Sequence, residues 1–219
     1  NVPEEDGRKL FLGWMSNWLY AQEVPTETWR SAMTIARELK LIKEDGQYLV
    51  TSQPVEELKK FRGEPVKKSA LSAKEDLVLI DSSAINLSKA EVKFSISGLE
   101  EDGNYHFTLS NEQGEKFVVN YDHSEQKFSM DRSEAGKNDF SDKFSGTPST
   151  APRITAADSM EVHMILDKTS MELFIDNGKT VITEIFFSEQ PWDTFSVGSE
   201  EKDFTVDSFE AYELNFNNQ

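Results

Sequence analysis

Cysteine is absent from the 219 residues, and histidine occurs only three times. The first absence excludes disulfides and thiolate metal sites, and it leaves the redox compartment open. His106, His123 and His163 are far apart with no His-x-His spacing, so neither a metal site nor a cofactor is expected. The chain also lacks a Gly-x-Ser-x-Gly elbow, a phosphate loop and a dinucleotide fingerprint. No apolar run approaches the roughly 20 residues of a membrane-spanning helix. Basic residues are few, 23 against 40 acidic, for a net charge of −17. Such a field repels nucleic acid and anionic lipid, and neither is expected as a partner. The acidic clusters Glu4-Glu5-Asp6, Glu44-Asp45, Glu56-Glu57, Glu100-Glu101-Asp102 and Glu200-Glu201 fall where turns or termini are expected. They read as solvated surface rather than as a catalytic carboxylate pair. No initiator methionine or signal peptide is visible, and a polar segment, Asn1 to Asp6, precedes the first expected strand. An excised segment is expected to look like this.

Alternation with period two dominates what is present. Leu10 to Met15, Ser31 to Ile42 and Tyr48 to Thr51 read as three strands, the last two joined at an Asp45-Gly46 hairpin. Gln53-Pro54 opens a short helical segment whose apolar stripe is Val55, Leu58 and Phe61, and Gly63 and Pro65 close it. Short strands follow from about Val66: Leu77–Ser82, then alternation through Val92, Phe94 and Ile96, through Tyr105, Phe107 and Leu109, through Phe117, Val119 and Tyr121, and through Phe128 and Met130. The polar stretch Ser133 to Thr150 reads as a long loop. Further strands are expected at Arg153–Ala157, Met160–Leu166, Met171–Asp176, Val181–Phe187, Thr194–Val197 and Phe204–Leu214, with Asn177-Gly178 as the clearest hairpin signal. About a dozen strands with one apolar face predict an all-β fold, two antiparallel sheets packed as a sandwich. Asp131-Arg132 reads as a local ion pair, and Glu172 as a structural or interface carboxylate.

One stretch carries a functional signal. Gly13-Trp14-Met15-Ser16-Asn17-Trp18-Leu19-Tyr20-Ala21 runs on to Pro25-Thr26 and Trp29-Arg30. Aromatic faces beside an amide suit a sugar, whose C–H face stacks on the ring while its hydroxyls meet the amide; composition alone favours core packing for the same residues. With Ala32-Met33-Thr34 and Arg37-Glu38-Leu39, the stretch resembles the last propeller blade of glycoside hydrolase family 32, the levanases, inulinases and invertases. Met171-Glu172-Leu173-Phe174-Ile175-Asp176-Asn177-Gly178 resembles a hairpin of that family's C-terminal β-sandwich, and Asp131-Arg132-Ser133 with Gly136 resembles another of its segments.

The resemblance implies a three-stranded remnant of a β-propeller blade at residues 1–53, a linker helix at 54–64 and a concanavalin-like sandwich at 65–219. It implies a parent enzyme that cleaves β-fructofuranosyl linkages in fructan or sucrose, outside the cell or in the periplasm. It makes Trp18 the wall of a fructose subsite with Asn17 beside it, while Trp14, Trp29 and Arg30 support the blade. The family's Trp-Met-Asn-Asp-Pro-Asn-Gly-like, Arg-Asp-Pro and Glu-Cys motifs are missing from this sequence. Retaining glycosidases need two carboxylates about 5 Å apart, so no catalytic residue is expected here. The sandwich then either braces the propeller or serves as a sugar-binding or dimerisation module. A homo-oligomer through the open blade edge is a further expectation.

Overall fold

A computed structural model describes residues 6–81, 84–146 and 148–216. The expectations for Asn1–Glu5 and for Ser82 lie outside the described residues. Three strands come first, β1 (Lys9–Phe11), β2 (Arg37–Glu44) and β3 (Gln47–Pro54), paired antiparallel in that order. A 3₁₀ helix follows at Glu56–Phe61. Its period of three residues per turn is the spacing of Val55, Leu58 and Phe61, and Leu58 is the member buried. The remaining strands are β4 (Arg62–Ala73), β5 (Leu77–Ile80), β6 (Lys89–Ser97), β7 (Asn104–Ser110), β8 (Lys116–Asp122), β9 (Lys127–Glu134), β10 (Ser149–Pro152), β11 (Ser159–Asp167), β12 (Ser170–Ile175), β13 (Thr180–Ile185), β14 (Thr194–Ser199) and β15 (Phe204–Leu214). They form two six-stranded sheets, β10-β9-β8-β7-β14-β5 and β13-β12-β11-β6-β15-β4, all antiparallel. The fold is all-β, a sandwich preceded by a three-stranded sheet.

The alternating residues build the core. Val92, Phe94 and Ile96 of β6 face Phe107 and Leu109 of β7 and Phe195 and Val197 of β14, all almost fully buried. Phe94 meets the Phe107 ring edge-on at 5.1 Å between centroids. Burying each such side chain contributes about 1.5–3 kcal/mol.

Several boundaries differ from the expectation, each for a visible reason. The first strand stops at Phe11 because Gly13 N–H donates to the Thr34 hydroxyl rather than continuing a ladder. Only an isolated bridge, Trp14 to Met33, remains beyond it. The second strand starts at Arg37, not Ser31: Ser31 has a φ of 70°, and Ile35 N–H donates to the Glu172 carboxylate at 2.8 Å. β4 had no alternation to reveal it, being a charged, exposed edge strand, and Pro65 is tolerated there as on other edges. The loop 133–150 holds a one-turn helix, α1 (Asp142–Ser145), and the start of β10. Arg153–Ala157 is not a strand. The Arg153 guanidinium is buried and donates to Asp176 at 2.7 Å, to the Tyr121 hydroxyl at 3.3 Å and to the carbonyls of Ala157 and Ser159. Asp131-Arg132 is not a local pair either: Asp131 accepts from Ser133 N–H, and Arg132 crosses to Glu184 at 2.9 Å.

β12 is buried along its whole length. Met171, Leu173 and Ile175 enter the sandwich core, whereas Glu172 and Phe174 lie under the three-stranded sheet. Phe174 forms a second apolar cluster with Leu58, Ile165 and Leu214, against which Ile35 and Phe61 pack. Farther along the joint, Ser52 N–H donates to the Gly178 carbonyl at 3.1 Å and Lys179 pairs with Glu44 at 2.7 Å. Gly178 has a φ of 76°, and an added Cβ would run into the Ser52 carbonyl. Gly178→Ala is therefore expected to destabilise the chain by about 1–3 kcal/mol. Thermal unfolding checks the loss, and faster exchange of the Ser52 amide locates it.

Candidate functional site

The aromatic stretch is a loop held at its base. Met15 N–H donates to the Ala32 carbonyl and Thr34 N–H to the Gly13 carbonyl, both at 2.8 Å, so the ends of the loop are clamped together. Within it, Tyr20 and Ala21 N–H donate to the Asn17 carbonyl at 3.1 and 2.8 Å. The Asn17 side-chain oxygen accepts from Leu19 N–H at 2.9 Å, an Asx turn that raises Trp18 at its crown. Trp18 is 85% exposed and touches the Trp14 ring at 4.9 Å between centroids, tilted by 50°.

Asn17 and Trp18 are thus adjacent and outward-facing, and Asn17 already commits one side-chain atom to the turn. Trp14 and Trp29 are partly open, at 39% and 42%. Arg30 donates to the Thr26 and Trp29 carbonyls, which closes the loop locally. Tyr20, Ala21 and Val24 are buried. Of fourteen exposed large hydrophobic side chains among the described residues, eleven lie between Leu10 and Val50. These include Leu10, Leu12 and Leu41, while Ile35 and Leu39 are half-buried. The apolar surface that lacks cover is thus concentrated on the small sheet and its loop.

The buried ionisable groups are structural. Glu172 accepts from Arg37 Nε at 2.8 Å and Nη2 at 2.5 Å, and Arg37 also donates to the Thr183 hydroxyl at 2.7 Å. Burial pushes the Glu172 carboxyl above its ordinary value, against the pull of the Ile35 amide and Arg37. Burial also raises Glu184, against the pull of Arg132. Glu91 differs: burial would raise it, but hydrogen bonds from Arg62 and His163 outweigh that and hold it at about 2. Among the described residues no group of three His, Asp or Glu side chains is arranged to hold a metal. Among the described residues no helix is long and apolar enough to cross a membrane.

Sequence reasoning missed the partners that hold the loop. Phe140 and Phe144 sit in a stretch read as a polar loop, yet Phe144 is buried against Tyr20 with ring centroids 5.2 Å apart. No local signal announces that contact; the two aromatics in an otherwise polar segment were the only hint.

Comparison with known proteins places this geometry. The family model described as "Glycosyl hydrolases family 32 C terminal" matches residues 57–213, and "Glycosyl hydrolases family 32 N-terminal domain" matches residues 1–54. A levanase of Bacillus subtilis is 35% identical over 193 residues, 87% of this chain and 28% of its own length. A levanase of Bacillus sp. strain L7 is 29% identical over 213 residues, 95% of this chain and 23% of its own length. A crystal structure of exo-inulinase from Aspergillus awamori superposes with a TM-score of 0.78 at 22% identity, covering 94% of this chain and 40% of that one. The chain thus spans about a quarter of the length of the two levanases it matches.

Proposed function

The chain belongs to glycoside hydrolase family 32, and from that premise we propose that it is the C-terminal part of a β-fructofuranosidase acting on fructan or sucrose. In this reading residues 1–53 are the last blade of the catalytic propeller, 54–64 the linker and 65–219 the sandwich that braces it. The observation that carries the bracing role is the double burial of β12. One face serves the sandwich core, and the other receives Ile35 and Arg37 through Glu172 and Phe174. The exposed apolar residues between Leu10 and Val50 are then the surface on which the neighbouring blade sits. Trp18, with Asn17 beside it, walls the fructose subsite at the edge of that surface. Relatives named as extracellular exo-inulinases support an extracellular or periplasmic parent.

A free-standing sugar-binding sandwich is less well supported. Such a site stacks its ligand on exposed aromatic rings. Among the described residues beyond β3, the exposed large hydrophobics are Val78, Ile154 and Phe216, and the Phe216 ring packs on Phe61. Neither described face of the sandwich offers an aromatic row.

Hydrolysis requires the paired carboxylates whose motifs this sequence lacks. The chain alone is expected to release no fructose from levan, inulin or sucrose above a buffer blank. Turnover that co-purifies with the chain and disappears on mutating one of its own carboxylates would overturn the reading.

A further inference from the structure

The loop that carries Trp18 closes on itself through the Asn17 turn and the Trp14–Trp18 ring contact, but it rests little on the sheet from which it springs. Its crown, Trp18 and Leu19, is exposed, and the three-stranded sheet holds only its two ends, at Met15–Ala32 and Gly13–Thr34. The buried residues just past the crown, Tyr20 and Val24, pack instead on Phe144, Phe187, Phe140 and Ile185, all from the sandwich. That surface is itself built rigidly. Arg132 Nε and Nη2 donate to the Phe144 carbonyl at 2.9 and 2.7 Å, and its guanidinium lies 3.8 Å from the centre of the Phe144 ring. Nη1 of the same arginine is fixed by Glu184 at 2.9 Å and by the Ile185 carbonyl at 3.3 Å. The start of the segment is pinned as well: Lys137 N–H donates to the Phe187 carbonyl at 2.9 Å, and Gly136, with a φ of 91°, passes where a Cβ would strike the same oxygen.

We propose that Phe144, locked by Arg132, is a positioning residue for the Asn17–Ala21 turn: the sandwich seats Tyr20 and thereby fixes the direction in which Trp18 faces. The physical reason is entropic. An exposed ring on a loose loop must lose its freedom when it stacks on a ligand, and a ring whose turn is already fixed does not. Tyr20 is two residues from Trp18 and shares with Ala21 the Asn17 carbonyl that closes the turn, so anchoring Tyr20 orients the crown. The inference rests on the reading of Trp18 as a sugar wall for its purpose, but not for its test, which uses no sugar.

The test is made on the whole chain. Phe144→Ala and Phe144→Leu are compared with the unmodified protein by hydrogen exchange, and by the indole N–H resonance of Trp18 in tryptophan-labelled protein, assigned through Trp18→Phe. In Phe144→Ala the amides of Tyr20 to Val24 are expected to exchange at least about ten-fold faster, and the Trp18 indole signal to shift or broaden. The amides of β2 and β3, held separately by Glu172 and Gly178, are expected to keep their rates. Phe144→Leu is expected to restore most of the turn's protection. Should Phe144→Ala fail to fold, Tyr20→Ala removes the same contact from the loop side and leaves the sandwich intact, with the same local signature expected. Unchanged exchange and an unchanged Trp18 signal in a folded variant would overturn the proposal. Equal acceleration across β2, β3 and the turn would also overturn it, because the contact would then hold the whole sheet rather than orient the turn. Neither outcome bears on whether the parent hydrolyses fructan, which fructose release decides.

Discussion

Replacing Arg37 with alanine is expected to cost about 3–5 kcal/mol of stability, because it leaves Glu172 buried without its counter-charge. The two side chains are almost wholly removed from water, at 7% and 2% exposure. Each lies on a different sheet, and they are 135 residues apart in sequence. The loss is expected to depend on pH, with a definite sign. Without Arg37 the Glu172 carboxyl loses an attraction that favours its charged form, so its pKa in the folded chain rises further above the ordinary 4.5. The folded state then holds a proton that the unfolded state releases, and stability falls as pH rises. The deficit relative to the unmodified chain is thus expected to be larger at about pH 8 than at about pH 5. Urea titrations at both values measure it. A deficit that is small and the same at both would mean that the pair does not hold the joint. Replacing both residues with apolar side chains of similar volume is expected to recover much of the loss, as for other buried ion pairs.

Acid is expected to remove about 3 kcal/mol through a second buried carboxylate, Glu91. Its folded pKa is about 2 against an ordinary 4.5, because Arg62 holds it through two nitrogens at 2.6 and 2.7 Å and His163 through a third at 2.8 Å. A depressed folded pKa stabilises the fold above the unfolded value, and the gain is lost as pH falls from 4.5 toward 2. Burial also lowers the pKa of His163, outweighing Glu91, so the unfolded chain takes up that proton more readily as pH falls below 6.5; the two effects add. Glu91→Gln is expected to be less stable than the unmodified chain at neutral pH, with the two stability curves converging below pH 4.5. Parallel curves through that interval would show that Glu91 does not carry the acid sensitivity.

How much of this was legible depends on which forces shape each element. β7 and β8 bury one face each, and β6 and β11 do so apart from Glu91 and Ile165, so Val92-Phe94-Ile96 and Tyr105-Phe107-Leu109 alternate, and the sequence displays them directly. β12 buries both faces, and Glu172 within it reads in the sequence as a structural or interface carboxylate, with no local sign that Arg37 is its partner. β4 is an edge strand whose Glu64, Lys67 and Lys68 face water, so charge masked a twelve-residue strand. The expected strand Ser31–Ile42 lost its first six residues, and the one at Arg153–Ala157 did not form, because distant partners, Glu172 and Asp176, claim the backbone of Ile35 and the side chain of Arg153. The aromatic loop stands out as a candidate site chiefly through its resemblance to the family, since tryptophan in a loop is chemically no different from tryptophan awaiting a core. Its seat on Phe144 was not legible at all, because that contact joins segments more than a hundred residues apart.

Ile35, Arg37 and Ser52 tie the three-stranded sheet to the sandwich of the same chain. Hydrogen exchange of residues 8–54, recorded at two protein concentrations far apart, tests this attachment most directly. A second copy pairing along the edge of β3, beyond the Ser52–Gly178 contact, would cover the same sheet only when the protein is concentrated. Protection of β2, and of Ile35 and Ser52 at the joint, is expected to be the same at both concentrations and to collapse in Arg37→Ala. Protection that falls on dilution, with Arg37→Ala behaving like the unmodified chain, would contradict the account and assign the cover to a partner copy.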